Sequence, residues 1–169
     1  MPERDPEVQK VIDESKIRYL LDCYPRALDR QDHALLASLF HDDAIDDHGV
    51  YNGSAAGFVE FMRKGSKEVH WTHHNGTQIV EIEGDVAQCE TYTIALCRMG
   101  PAGSEGYDKQ IFLRVRYLDR VEKRAGAWKI AHRRVVYSPC HIMDAAVPFP
   151  LTPDCLVEGA AGVDPVYTW

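Results

Sequence analysis

Three histidines, His70, His73 and His74, lie close together in the segment HWTHHNGT. An imidazole has an ordinary pKa of about 6.5, so a positioned histidine accepts a proton near neutral pH with little tuning. Three histidines also suggest a metal site, but no second group of His, Asp or Glu at a recognisable spacing completes a tetrahedral site. The cluster therefore favours proton transfer, and we expect no metal.

Nucleophilic chemistry has less support in the sequence. There is no Gly-x-Ser-x-Gly elbow and no cysteine beside these histidines, which argues against covalent acyl transfer. The cysteines are odd in number and form no Cys-x-x-Cys pair, so we interpret them as reduced, mostly buried small hydrophobes of a cytosolic protein. They are Cys23, Cys89, Cys97, Cys140 and Cys155. The acidic segment HDDAIDDH (41–48) is interpreted as a solvated cap and turn next to a helix.

The composition is that of one ordinary globular domain: 169 residues, 45% hydrophobic and 27% charged. The net charge of -7, from 26 acidic and 19 basic side chains, makes a nucleic-acid partner unexpected, because phosphate binding needs a basic face. No apolar run is long enough to span a membrane. The charged start MPERDPEVQKVIDE does not resemble a secretory signal. We therefore expect a cytoplasmic protein.

The first half of the chain has helical periodicity. Apolar residues recur at three- and four-residue steps from Val8 to Leu28, and Pro25 predicts a kink, or a break followed by a turn through Asp29. Asp32 is a plausible N-cap for a second, short helix. A short strand and turn follow at 44–53, and Ser54 precedes a third helix that Gly65 ends.

The second half alternates with the period of strands. Segments 73–85, 85–99, 108–124 and 127–139 predict an antiparallel meander, with a glycine-rich loop at 100–106. Helices followed by a sheet indicate an α+β fold with the helices on one sheet face. Residues 139–169 contain five prolines and are interpreted as an irregular tail on the body or on a neighbouring subunit. We therefore divide the chain into a domain at 1–138 and a tail at 139–169.

Both faces of the last predicted strand are largely apolar. Trp128, Ile130 and Val136 share one parity, and Val135 and Tyr137 share the other. If helices cover one face, a second subunit is the simplest cover for the other, and the tail is the alternative. The strand pattern therefore predicts a homo-oligomer.

Four segments in this order resemble the SnoaL-like branch of the nuclear transport factor 2-like superfamily: CYPRALDRQDHALLASLFHDDA, GVYNG, THHNGTQIVEIEGD and YLDRVEKRAGAWKIAHR. Within that branch, residues 10–138 are most similar to the group of scytalone dehydratase, bile acid 7α-dehydratase and hexachlorocyclohexane dehydrochlorinase. The resemblance implies a cone-shaped α+β barrel, in which three helices and a curved mixed or antiparallel sheet enclose a pocket. It also implies no metal, no organic cofactor and a homotrimer, with a dimer as the alternative.

The same resemblance implies a catalytic pair: an aspartate at the end of the first helix and a histidine on the strand after the third helix. The aspartate is Asp29. The histidine precedes an x-Gly step in the relatives, which selects His74 here. His73 then points to the opposite side of the strand, and we assign it to substrate binding.

Three further residues match positions of these relatives, and a fourth, Tyr137, departs from them; Tyr51 and Tyr137 are assigned to substrate binding. Tyr24 corresponds to a tyrosine of the dehydratases and Arg133 to an arginine of the dehydrochlorinases, so both are expected to be catalytic donors. Tyr51 matches a pocket-rim tyrosine, and Tyr137 stands where the bile acid dehydratase has a second basic residue. Two structural alternatives stay open, since Tyr24 could be core packing and Arg133 could pair with Glu122 or Asp119.

The resemblance implies a cofactor-independent lyase, a dehydratase or dehydrochlorinase acting on a small, cyclic, apolar substrate. A ketosteroid isomerase-like or polyketide cyclase-like isomerase begins with the same proton abstraction. A non-catalytic carrier, or an accessory subunit such as the small subunit of a ring-hydroxylating dioxygenase, is the alternative of a different class.

Overall fold

Three helices precede most of the sheet, as the periodicity predicts. The computed structural model describes residues 5–65, 69–99, 109–144 and 150–167. The helices are α1 (Pro6–Asp29), α2 (His33–Ser38) and α3 (Ala55–Gly65). In these described ranges there are seven strands, and a 3₁₀ turn lies at Pro165–Tyr167. The strands are β1 (Phe40–Asp47), β2 (Asn52–Ser54), β3 (Val69–Glu83), β4 (Val86–Met99), β5 (Lys109–Arg124), β6 (Ala127–Tyr137) and β7 (His141–Asp144).

The strands form one mixed sheet in the order β2-β1-β6-β5-β4-β3, with β7 also pairing with β5. Strands β3 to β6 are the predicted antiparallel meander, whereas β1 runs parallel to β6. The sheet does not close, and the helices lie on its inner face. The prediction of an α+β cone is confirmed. The glycine-rich segment 100–106 lies outside the described residues.

The helix caps follow from the sequence. Asp32 accepts a hydrogen bond from the Leu35 N–H at 2.9 Å, as an N-cap does. Ser54 Oγ accepts one from the Gly57 N–H at 3.1 Å at the start of α3. Helix α1 is continuous to Asp29 with Pro25 inside it, so the predicted break does not occur.

The acidic segment 41–48 differs from its predicted role as a solvated cap. Most of it forms strand β1, and the side chain of Asp46 is completely buried. Of its four aspartates, Asp42 and Asp43 are exposed as expected. The prediction is wrong for Asp46 because a carboxylate can be buried when a cation or hydrogen-bond donor accompanies it.

Strand β6 does not alternate without interruption. Arg120 pairs with His132, and the next residue, Val121, pairs with Ile130, so one residue of β6 bulges out. After the bulge the odd-numbered residues face inward, and Arg133 is fully buried. The expectation that both faces of β6 are largely apolar is therefore wrong, since the face opposite Arg133 carries His132 and Arg134.

The outer face of the sheet still exposes large apolar side chains. They are Ile79, Tyr92, Ile94 and Leu118, each between 37% and 48% exposed. A second copy of the chain as their cover stays a prediction. None of the helices in the described ranges has the length and apolar character needed to cross a membrane.

The segment after β6 contributes to the body in two ways. Strand β7 pairs with the Lys109–Phe112 end of β5, beyond the part of β5 that pairs with β6. Further along, the Ala161 N–H donates to the Arg30 carbonyl at 2.6 Å, and the Tyr167 hydroxyl donates to Asp32 at 2.8 Å. This end of the chain therefore packs against the turn between α1 and α2, directly after Asp29.

Candidate active site

A cavity of about 400 Å³ lies between the sheet and the helices α1 and α3. Its wall is mostly apolar, and its titratable side chains are two histidines and two tyrosines. A cavity of this size and character accommodates a small ring compound. The lining residues are Leu28, His48, Val50, Phe58, Phe61, Met62, Gly65, Trp71, His73, Ala95, Ile111, Leu113, Val115, Tyr117, Val135 and Tyr137.

His73 and Asp29 form a hydrogen-bonded pair in this wall. The His73 Nδ1 lies 2.5 Å from Asp29 Oδ1, and the His73 backbone N–H donates to Asp29 Oδ2 at 3.0 Å. A carboxylate only accepts hydrogen bonds, so Nδ1 carries the proton and Nε2 has the free lone pair. In the described part of the chain Nε2 has no hydrogen-bond partner. The imidazole is thus oriented as a base, and stacking on Trp71 at 5.6 Å supports its ring.

The structure pairs Asp29 with His73 and not with its neighbour His74, which the sequence analysis predicts. The prediction that His74 pairs with Asp29 is wrong, because His74 is exposed and lies opposite Ile94 on the outer face. His73 lies opposite the buried Ala95. A bulge between Asn75 and Gln78 shifts the alternation of β3 just after this position.

Helix α1 is fixed to β3 at the point where it presents Asp29. Pro25 has no N–H, so the Leu21 carbonyl lacks its usual partner in the next helical turn. Asn75 Nδ2, in the β3 bulge, donates to that carbonyl at 3.3 Å. Gln78 Nε2 donates to Asp22 at 2.6 Å one residue further on. The proline and the bulge are therefore complementary, and together they set the distance between Asp29 and His73.

Tyr24 and Arg133, the two predicted donors, lie outside the lining of the cavity. Arg133 forms two hydrogen bonds of 2.7 Å with Asp119, one of the two structural partners expected for it. Its guanidinium carbon lies 3.7 Å from the ring centroid of Tyr24 and 4.4 Å from that of Tyr117. Of these aromatic rings, Tyr117 lines the cavity. We call Tyr24, Tyr117, Asp119 and Arg133, together with the nearby Asp46, the buried charge cluster.

The buried charge cluster keeps its tyrosines neutral and its arginine charged. Burial raises the pKa of Tyr24 well above its ordinary value, although the Arg133 guanidinium opposes the shift. Burial also raises the pKa of Tyr117. For Arg133 burial acts to lower the pKa, but the Asp119 carboxylate outweighs it and the pKa rises. Three buried atoms of the cluster have no hydrogen-bond partner within the described ranges: Tyr24 Oη, Arg133 Nη1 and Asp46 Oδ2.

The two tyrosines predicted to bind substrate have different positions. Tyr137 lines the cavity, and its hydroxyl donates to the His48 carbonyl at 2.9 Å. Tyr51 is not among the lining residues. Its hydroxyl donates to the Ser54 carbonyl, and its ring packs against Phe58 and Phe61, which do line the cavity. Tyr51 therefore supports the wall from behind.

The sequence analysis missed a second histidine in the wall, His48. Its Nδ1 lies 3.0 Å from Asp46 Oδ1. Both residues belong to the acidic segment interpreted above as solvated, because a run of aspartates is typical of exposed residues. The strand parity of Asp46 relative to Ala44, an apolar residue two positions earlier, was the one available signal.

No three His, Cys, Asp or Glu side chains of the described residues converge as a metal site requires. The five cysteines are all free. The titratable groups that the cavity presents, two histidines and two tyrosines, are suited to proton transfer and hydrogen bonding.

Solved structures of similar fold include enzymes of known name. A hexachlorocyclohexane dehydrochlorinase from Novosphingobium barchaimii is 16% identical, with a TM-score of 0.71 over 87% of this chain and 99% of that one. A candidate scytalone dehydratase from Novosphingobium aromaticivorans is 17% identical, with a TM-score of 0.68 over 90% and 95%. A candidate aromatic ring hydroxylase from the same species is 22% identical, with a TM-score of 0.68 over 79% and 94%. At such identities the likeness shows a shared fold.

A comparison of the sequence with curated proteins finds no match. The model of the SnoaL-like domain matches residues 9–134, which span α1 through most of β6 and so include both histidine–aspartate pairs. The chain belongs to the SnoaL-like domain family.

Proposed function

We propose that the protein is a cofactor-independent lyase that eliminates a small group from a cyclic, largely apolar substrate. The observation that carries the proposal is the pair of His73 and Asp29 in the wall of an apolar cavity. A histidine with one nitrogen held by a carboxylate is the arrangement of a general base.

In the proposed reaction His73 Nε2 removes a proton from a carbon next to a carbonyl group. Asp29 keeps the proton on Nδ1 before the reaction and balances the imidazolium that forms. General-base catalysis of this kind contributes about 10²–10⁴-fold to a rate. Asp29 is suited to the task because both of its oxygens already accept hydrogen bonds from His73.

Proton abstraction develops negative charge on the substrate oxygen, and neutral donors or a cation nearby stabilise it. Tyr117 and Tyr137 line the cavity, so they are the nearest tyrosines for a direct contact. Tyr24 and Arg133 lie next to Tyr117, and each retains a buried donor without a partner among the described residues. We assign Tyr24 and Arg133 an electrostatic contribution from this position.

The first step can be tested without knowing the natural substrate. Cyclic ketones such as cyclohexanone, 2-tetralone and 1-decalone exchange the hydrogens next to the carbonyl with solvent deuterium, and NMR follows the exchange. The wild-type protein should accelerate exchange of at least one ketone. His73→Asn should lower that acceleration about 100-fold or more.

His74→Asn is the matched control, since His74 lies on the same strand and faces outward. It should leave the exchange rate unchanged. Quenching of Trp71 fluorescence reports whether each ketone enters the cavity. Ketones that bind but do not exchange faster than in buffer would refute the enzyme and favour a carrier or accessory subunit. Equal rates for the wild type and folded His73→Asn would refute the assignment of the base.

A further inference from the structure

A second histidine of the cavity wall, His48, also pairs with an aspartate, Asp46. His48 lines the cavity and is 15% exposed, whereas Asp46 is completely buried. The His48 Nδ1 contacts Asp46 Oδ1 at 3.0 Å, so Nε2, on the other edge of the ring, is the nitrogen available to a bound molecule. No residue in the described ranges forms a hydrogen bond with Nε2.

The structure holds the His48 ring and backbone from several sides. The ring stacks on Phe58, with centroids 4.6 Å apart and planes 17° from parallel. The His48 N–H donates to the Tyr51 carbonyl at 2.8 Å, and the His48 carbonyl accepts from the Tyr137 hydroxyl at 2.9 Å. Gly49 follows with φ +80°, a conformation that favours glycine. These contacts fix the direction in which the His48 imidazole points. Burial of the ring by itself would not fix it.

The two histidines reach the cavity from distant parts of the sheet. His48 directly follows β1, and His73 lies on β3. In the sheet order, β6, β5 and β4 lie between β1 and β3. Both imidazoles line the same cavity, so a sheet that brings β1 and β3 to it must curve around it.

The charges around the aspartate differ between the pair of Asp46 and His48 and the pair of Asp29 and His73. Asp46 and Asp119 are both buried, and Arg133 is the fully buried cation of the described residues. Arg133 is adjacent to Asp46 in the register of β1 and β6, but its two hydrogen bonds are formed with Asp119. A buried carboxylate needs a positive partner. Among the described residues, His48 is the side chain that contacts Asp46 and can carry a positive charge, whereas both oxygens of Asp29 accept hydrogen bonds from His73.

We propose that His48 is the general acid of the reaction and that Asp46 is its positioning residue. The inference rests on the proposed function, because it adds the second half of the same elimination. His73 takes the proton from the carbon next to the carbonyl, and that electron pair becomes the new C=C bond. The C–O bond at the β carbon breaks, and the oxygen leaves as water with the proton of His48 Nε2. Solvent then returns the proton to His48 and removes one from His73.

Protonation of the leaving group by His48 indicates the chemical class of the substrate. Hydroxide is a poor leaving group and needs protonation, whereas chloride leaves without a proton. A built general acid therefore indicates a cyclic β-hydroxy ketone, and the reaction is a dehydration. The reaction that supplies the substrate must then be one that places a hydroxyl group two carbons from a ring carbonyl.

The test compares two leaving groups on one ring. 3-Hydroxy-1-decalone and 3-chloro-1-decalone give the same conjugated enone, whose absorbance is followed directly. His48→Gln should slow the elimination of water about 100-fold or more and leave the elimination of chloride within threefold. Asp46→Asn should show the same selectivity. His73→Asn should slow both reactions.

His132→Gln is the matched control, because His132 also contacts an aspartate, Asp47 at 2.8 Å, and does not line the cavity. It should change neither rate. Retained chloride elimination by His48→Gln shows that the fold of this variant and its proposed base, His73, are intact. His48→Phe is a second variant, which preserves an aromatic ring stacked on Phe58.

Equal decreases in the rates of water and chloride elimination in folded His48→Gln and His48→Phe would overturn the assignment of the acid. An unchanged rate of water elimination in these variants would also overturn it. Wild-type protein that eliminates neither group from a decalone that binds would refute the elimination itself, and the general acid with it. Loss of both reactions in His73→Asn, together with no selectivity in the His48 variants, would leave the proposed base standing and refute only this inference.

Discussion

The pair of Arg133 and Asp119 allows a prediction whose size follows from the structure. Both side chains are completely buried and share two hydrogen bonds of 2.7 Å. Removing one partner of such a pair leaves a buried charge without compensation and costs about 3–5 kcal/mol of the free energy of unfolding. Asp119→Asn keeps one acceptor oxygen, and Asp46 remains beside Arg133. We therefore expect a loss near the lower limit, about 3 kcal/mol.

Urea unfolding at pH 7, followed by circular dichroism, measures this loss. For a chain of this length about 3 kcal/mol corresponds to a decrease of about 6–12 °C in the melting temperature. Glu90→Gln is the surface control, because Glu90 pairs with Arg116 between the exposed sides of β4 and β5. Surface ion pairs contribute little, so this variant should unfold at the wild-type urea concentration.

A double variant separates charge from packing. In Asp119→Leu/Arg133→Met both charges are absent, and apolar replacements of buried pairs are often neutral or stabilising. The double variant should therefore be more stable than Asp119→Asn. A loss below about 1 kcal/mol for Asp119→Asn would show that water solvates the guanidinium, and the account of the buried charge cluster would then be incorrect.

Two further predictions concern other parts of the molecule. Burial tends to raise the pKa of Asp13, but hydrogen bonds, with that from Trp128 Nε1 at 2.9 Å foremost, lower it below 3.8. Its ionised form thus stabilises the fold above that pH, and the stabilisation is lost as the pH falls through the lower, folded-state pKa. Asp13→Asn should cost about 1–3 kcal/mol at pH 7, and urea midpoints should converge with those of the wild type below pH 3.8; a constant difference would contradict this. A hydrogen bond with Thr152 lowers the pKa of the exposed Cys155, whereas burial raises that of Cys89 to about 12. Ellman's reagent should therefore label Cys155 at once and Cys89 only after unfolding, and rapid labelling of a Cys155→Ser variant at Cys89 would contradict the burial.

The elements of this fold could be predicted because their signals are local. The Asp32 and Ser54 caps, the period of α1 and the alternation of β5 each depend on residues a few positions apart. From the sequence, the choice of the proposed base could be narrowed only to two neighbouring residues, His73 and His74. Adjacent strand residues face opposite sides, so a single bulged residue exchanges them. Counting back by two from the half-buried Val80 and Ile82 selects His74, and the bulge after Asn75 reverses that result.

The second histidine of the cavity, the proposed general acid His48, could not be predicted for a different reason. A run of aspartates is normally exposed, and only the register of β1 against β6 shows that Asp46 lies beside Arg133. That contact joins residues 87 positions apart through a parallel pairing, for which the sequence has no local signal. Burial of a carboxylate depends on a partner, so its prediction requires the topology first.

Irregular strand register lies next to three polar side chains of the site and the buried charge cluster, His73, Arg133 and Asp46. His73 precedes the bulge of β3, and Arg133 follows the bulge of β6. Asp46 follows the shift in the pairing of β1 between Phe40 and Ile45. A regular strand would place these side chains by the same alternation that serves the apolar core, whereas a bulge re-aims a side chain independently of that alternation. The irregularities therefore let one sheet face present a hydrophobic wall and, at these positions, the proposed base His73, the aspartate that contacts the proposed acid His48, and the buried Arg133.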